Sequence, residues 1–230
     1  METLRPNEQR AKHAIILIWI VLAMDIASLV SGYFQYHLLQ TVANGGEITT
    51  EAANANDSRE RVIAIVHMVA NLVSAVTFIL WFRRAYFNLH QKVGNLSQPE
   101  GWAAGAWFVP IINLYRPYQI MKELYVETKE ILFRTGTGKD FSTAALGWWW
   151  TLWIISNILG QFVFRYSLRA KTIDELITST VAGMVSNIIG IPLAIITVKI
   201  ISDYAKVEPL LLNAYEIGDD METRVQEQDQ

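Results

Sequence analysis

Four stretches of this 230-residue chain, residues 14–35, 62–82, 143–164 and 178–198, together carry one charged side chain, Asp25. If they cross a membrane, that carboxyl is costly to insert, by roughly 2.5–3.5 kcal/mol, and its natural chemistry is proton or cation binding. Other polar groups recur at helical spacing: Asp25 with Ser28 and Gly32, His67 with Asn71 and Ser74, Trp153 with Asn157 and Gln161. Asp25, His67, Asn71, Asn157, Gln161 and Asn187 therefore make a candidate intramembrane polar site. At about 1.5 Å per residue, Asp25, Asn71, Asn157 and Asn187 can share one layer. Three readings of the layer stay open. It can fix helix register through hydrogen bonds worth about 0.6 kcal/mol each, with Asp25 protonated or bonded to Asn71. It can bind a proton or cation at Asp25, with His67 as a second titrating group. It can also line a polar pocket for a small molecule or lipid headgroup.

A second candidate set is aromatic and basic: Trp102, Trp107, Arg116, Gln119, Trp148, Trp149 and Trp150. Tryptophan favours the headgroup boundary, where its ring is apolar and its N–H finds a partner. The set reads either as an anchoring belt or as a lipid- or partner-binding face. Arg116 follows an apolar stretch, so its guanidinium requires a carboxylate such as Glu123, a phosphate, helix-end carbonyls or an interfacial position.

Other chemistries are poorly supported. There is no HExxH, nucleophile elbow or cysteine, and the four histidines fall at different depths, so neither a metal nor a cofactor is expected. Ser28 or Ser31 could meet His67, but no motif accompanies them. The string TGTGKD at 135–140 fails as a phosphate-binding loop, because Phe133 stands where the first glycine belongs and Asp140 where Ser or Thr follows the lysine. A turn, with Asp140 or Ser142 capping the next helix, is the better reading. The expectation is a non-enzyme.

Composition identifies the elements that must carry these residues. Hydrophobic residues make up 52% and charged residues 18%, against about 45–50% and 25% in ordinary soluble domains. A net charge of −3 argues against nucleic acid as a partner. Each apolar stretch approaches the roughly 20 residues needed to cross a bilayer. The spans are placed at about 14–35, 62–82, 143–164 and 178–200. The segment 101–115 is too short to cross and contains Pro110. With four spans, fourteen Lys and Arg lie on one side and five on the other; if 101–115 also crossed, the division would be nine against ten. Basic residues accumulate on the cytoplasmic side. The lopsided solution puts both termini there, with 101–115 re-entrant.

The resulting plan is a cytoplasmic segment 1–13, a four-span domain 14–207 and an acidic, solvated tail 208–230. The loop 36–61 is expected to hold little structure, and helix two to run through His90 and stop near Gly94. Residues 117–134 place Ile120, Met121, Leu124, Tyr125, Thr128, Ile131 and Leu132 on one face, an amphipathic helix along the interface or on the span ends. Ala182, Ser186, Gly190 and Ala194 form a small-residue stripe suited to close helix contact, and Pro192 should bend that helix.

The strings WFRRAYFNLH at 81–90, GWAAGAWFVPIINLYRPYQ at 101–119 and LGWWWTLW at 146–153 resemble a bacterial membrane family, domain of unknown function 4328, over roughly Val62 to Lys199. The resemblance implies a bacterial multi-span protein and no catalytic residues. The fold class expected is all-α: a four-transmembrane-helix bundle with a re-entrant segment and an amphipathic cytoplasmic helix between spans two and three. The function expected is non-enzymatic binding of lipid or a membrane protein partner, or self-association, at the tryptophan-rich face of a bacterial inner-membrane protein. The alternative is a proton- or cation-linked transporter or channel subunit using Asp25.

Overall fold

The computed structural model describes residues 4–136 and 142–211. It is all-α: 81% of those residues are helical and none is in a strand. In chain order the helices are α1 (Glu8–Ala43), α2 (Thr50–His90), the short α3 (Trp102–Gly105), a 3₁₀ turn (Ile112–Leu114), α4 (Arg116–Arg134), α5 (Ala144–Ser167) and α6 (Ile173–Val207).

Three of them, α1, α2 and α6, are long and apolar enough to cross a membrane, with mean hydropathies of 2.4, 2.2 and 2.1 over their most apolar windows. Only 22%, 17% and 6% of those windows is buried within the protein. Their apolar side chains face outward, which in water would expose far more hydrocarbon than a soluble protein tolerates. The fourth apolar helix, α5, is 24 residues long and uncharged before Arg165.

The helices outrun the apolar stretches that seed them. Residues 36–61, expected to be largely irregular, are helical except for 44–49. The correction has a local cause: Ala-rich 51–56 is a good helix former, and the Thr49 hydroxyl caps it by accepting from the Ala52 N–H at 3.1 Å. A second cap opens α6, where Thr172 and Glu175 form a reciprocal box: the Glu175 N–H donates to Thr172 Oγ1 (3.3 Å) and the Thr172 N–H to Glu175 Oε2 (3.0 Å). Ser142 caps α5, accepting from the Ala144 N–H at 3.2 Å. Asp140, the other capping candidate, lies outside the described residues, as does most of TGTGKD. α2 ends at His90 rather than Gly94, and α6 continues through Pro192.

The chain divides into two compact units. The first comprises the described residues of 1–15, 75–148 and 199–230, and the second Ile16–Ser74 and Trp149–Val198. In the first, α4 buries Pro117, Ile120, Met121, Leu124, Tyr125, Thr128 and Leu132. Its buried face is pinned to α6 by Tyr125, whose hydroxyl donates to the Ile200 carbonyl at 2.6 Å, and by Thr128, 3.3 Å from the Tyr204 hydroxyl. This face is therefore covered by protein.

Candidate functional site

Within the second unit, α1 and α2 bring Asp25 and His67 together. His67 Nε2 lies 3.0 Å from Asp25 Oδ1, and His67 Nδ1 lies 3.3 Å from Ser28 Oγ. Asp25 is 6% exposed. Helical geometry explains the convergence, since Asp25 and Ser28 are three apart on α1 and so flank one imidazole. The third wall is Gly190 of α6: a Cβ there would fall 2.7 Å from Asp25 Oδ2. Only glycine lets the α6 backbone come so close to the carboxyl. Similarly, a Cβ on Gly32 would meet the Met184 side chain at 3.0 Å.

The other polar residues of the expected layer are disposed differently. The Asn71 amide donates to the His67 carbonyl at 3.0 Å and the Asn157 amide to the Trp153 carbonyl at 2.8 Å, each closing on its own helix; both residues are exposed. The partner of Asp25 is thus His67 rather than Asn71. Gln161 sits on an open groove of about 400 Å³ along the last turns of α5, with Arg165 and Arg169. Asn187 is half-buried on α6. A short side-chain amide on a helix can reach the carbonyl four residues back, and periodicity alone does not reveal which choice it makes.

The aromatic set divides between the units. Trp102, Trp107 and Trp148 belong to the first, and Trp149 and Trp150 to the second. Trp107 packs edge-on against Phe78 (5.6 Å between ring centres) and Phe82 (6.4 Å), and its N–H donates to the Ala103 carbonyl. Trp150 stacks on Trp153 at 4.6 Å, Trp149 is buried, and Trp148 is exposed. Trp102 is half-buried and Gln119 exposed.

Arg116 opens α4, which has no side-chain cap at its start. Its guanidinium carbon lies 5.4 Å from the Tyr115 ring centre, and its buried Nε has no hydrogen-bond partner among the described residues. Glu123, one candidate partner for Arg116, is engaged elsewhere. It accepts from the Tyr86 hydroxyl (2.7 Å), the Ser97 N–H (2.7 Å) and the Ser97 hydroxyl (2.9 Å). Burial, with the Glu123 carboxylate second, pushes the Tyr86 phenol well above its ordinary range. Just before Arg116 the chain exposes Phe108 (74%), Val109, Pro110 and Ile111 (74%). Ile111 has φ 68° and ψ −49°, and the Ile112 N–H bonds to the Pro110 carbonyl at 2.8 Å. That is a γ-turn of the rarer, strained hand, unusual for a β-branched residue.

Sequence reasoning missed one cluster in the first unit and misplaced its acid. Glu208, assigned to the solvated tail, is 7% exposed. It accepts from the Asn88 amide at 2.7 Å and from the Asn7 amide at 3.0 Å. Asn88 also accepts from the Arg5 N–H and donates to the Arg5 carbonyl, both at 3.0 Å. Burial raises the Glu208 carboxyl, and the two amides and Arg84 offset this only partly. The pairings span up to 201 residues of sequence, so no local pattern announces them. The rest of the acidic tail lies outside the described residues.

Comparison with known proteins bears on the family and not on the chemistry. Residues 44–206 match the family model described as domain of unknown function DUF4328. The match is wider than the three motif strings and takes in His67, Arg116 and Gly190, while Asp25 and Ser28 precede it. No curated protein and no solved structure matches. Covering well over half of the chain, the match establishes that this protein belongs to the DUF4328 family.

Proposed function

We propose that the protein is a non-enzymatic, four-span component of a bacterial inner membrane that binds an anionic lipid headgroup at Arg116. The observation that carries this reading is an apolar tip, Phe108–Ile111, exposed one 3₁₀ turn before an arginine whose buried Nε lacks a partner among the described residues. Apolar side chains at such a tip favour the acyl boundary. A guanidinium beside an uncapped helix start suits a phosphate, which can take N–H groups from both. In this reading α5 supplies the fourth span and 101–115 dips into the inner leaflet without crossing. The excess of Lys and Arg on one side supports cytoplasmic termini. A membrane protein partner or a second copy of the chain would cover part of the outward apolar surface.

The test is lipid retention by the full-length protein purified in mild detergent. Arg116→Gln is expected to lose most of the co-purifying anionic phospholipid while keeping its helix content. Unchanged retention would end the assignment to Arg116.

One observation favours a second reading, a proton- or cation-linked transporter subunit: the buried Asp25–His67 pair. Unchanged ion movement into vesicles carrying Asp25→Asn would remove it.

A further inference from the structure

The Asp25–His67 pair continues in one direction only. Toward the α1–α2 loop, polar groups follow one another along the facing surfaces of the two helices. Ser28 Oγ lies 3.3 Å from His67 Nδ1. One turn further, Ser31 Oγ accepts from Arg59 Nε at 2.9 Å and its own hydroxyl donates to Glu60. Arg59 Nη2 then donates to Asn56 Oδ1 at 2.6 Å. Residues 25, 28 and 31 are three apart on α1, so they form a stripe. In the opposite direction α1 has no hydroxyl, amide or ionisable side chain from Met24 back to Ala14, and Ile18 is buried. On α2, Asn71 is turned onto its own helix, and the next buried polar residue, Ser74, is about 10 Å along the axis from His67.

We infer that Asp25 and His67 form a proton-binding site that exchanges with water at the α1–α2 loop end. Ser28 and Ser31 carry the connection, and Arg59 and Glu60 stand at its mouth. With His67 neutral and its Nε2–H on the Asp25 carboxylate, Nδ1 accepts the Ser28 hydroxyl. A proton arriving at Nδ1 turns that hydroxyl into an acceptor and makes the imidazole cationic. The pair then passes from a single net negative charge to none. No other ionisable group answers it from the neighbouring helices: α5 has none from Ala144 to Phe164 and α6 none from Leu176 to Val198. On α2 the nearest charged residues are Arg59, Glu60 and Arg61, at the loop end. α6 meets the pair with Gly190, whose backbone lies against Asp25 Oδ2. A change of charge on the pair is therefore felt at the α1–α6 contact.

This inference uses the same pair as the transporter reading but does not require transport. The experiment is a pH titration of the full-length protein in lipid nanodiscs, with ¹⁵N-labelled histidine and the His67 signal identified by its loss in His67→Gln. The titration covers about pH 5 to pH 8; the His67 signal of the native protein is expected to report a proton-linked change of form that Asp25→Asn abolishes or displaces. An imidazole that stays in one form across that range, or the same transition in Asp25→Asn, would overturn the site. If Asp25→Asn does not fold, Asp25→Ser takes its place, with the same two outcomes.

Sidedness is read separately, because the chain has no cysteine. In proteoliposomes, a membrane-impermeant thiol reagent applied to the loop side should label Ser31→Cys and spare Ile18→Cys. Labelling of both, or of neither, would overturn the route. A protein that titrates but passes no protons keeps the site and loses the transporter reading.

Discussion

The two compact units of this protein differ in the side chains they bury most deeply. In the unit containing α4, the most deeply buried side chains are large and apolar: Trp81, Phe82, Leu89, Ile120 and Leu124 are each 0% exposed. Its charged groups are mostly at the surface, while buried Glu208 is closed by the amides of Asn7 and Asn88. In the unit built from Ile16–Ser74 and Trp149–Val198, Asp25, Ser31, Asn56 and Ser74 are buried, while Leu72 (62%), Ile158 (64%) and Phe164 (65%) face outward. The outward apolar surface of the second unit is compatible with a membrane around α1, α2 and α6. Water drives apolar groups inward. Hydrocarbon exerts no such drive and instead drives polar groups to find partners within the protein.

The contrast is broken most forcefully by truncating the core of the first unit. Trp81 is fully buried and packs between Phe78 (5.6 Å) and Tyr204 (6.1 Å). Trp81→Ala is expected to cost about 3–5 kcal/mol of unfolding free energy in mild detergent. A cost near zero would mean that this unit is not held by its buried apolar core. A smaller loss is expected at Gly190→Ala in the second unit, where the added Cβ collides with Asp25. Overpacking of this kind costs about 1–3 kcal/mol, and Asp25→Ala in the same chain should restore part of it. Failure of the double variant to recover would mean that the clash is not with the carboxyl.

Glu208 sharpens the comparison through pH. Its carboxyl is raised by burial from its ordinary value of 4.5, so the folded protein keeps a proton that the unfolded chain releases. The stability it contributes is fully present below that ordinary value and is lost as pH rises through the raised folded value. The slope is at most one proton, about 1.4 kcal/mol per pH unit. Melting temperatures of native protein and Glu208→Gln over about pH 4–8 should therefore diverge as pH rises, with the native protein falling. Parallel curves would show that the buried carboxyl titrates alike in both states.

How far these features can be read from sequence depends on the range of the interaction. The buried face of α4 is written in the 3–4 spacing of Ile120, Met121, Leu124, Tyr125, Thr128 and Leu132, because helix periodicity is local. Apolar stretches likewise mark the cores of α1, α2 and α6, but not their ends, which capping by Thr49 and Thr172 sets outside the apolar run. Asp25 and His67 each stand out as an ionisable or polar group among apolar neighbours. Their pairing does not, since it depends on the rotation of α1 against α2, and composition cannot separate His67 from Asn71 as the partner. Glu208 is least legible of all. Its acidic neighbourhood reads as tail, and only the meeting of Asn7, Asn88 and the end of α6 makes it a buried group.

The smallest effect is expected at Leu72, and it tests the solvent argument most directly. Leu72 is 62% exposed within the chain, whereas Leu124 is 0% exposed. For a water-soluble fold, both would be read through the same transfer energy. If α2 crosses a membrane, Leu72 contacts lipid whether or not the helices are assembled, so shortening it changes the folded and dissociated states alike. Leu72→Ala should then shift the unfolding free energy by less than about 0.5 kcal/mol, against about 2–5 kcal/mol for Leu124→Ala. The two substitutions remove the same atoms, so the comparison cancels side-chain chemistry and leaves only the surroundings. Equal losses at both positions would place Leu72 in a protein contact, with a partner helix or a second copy of the chain covering that face of α2.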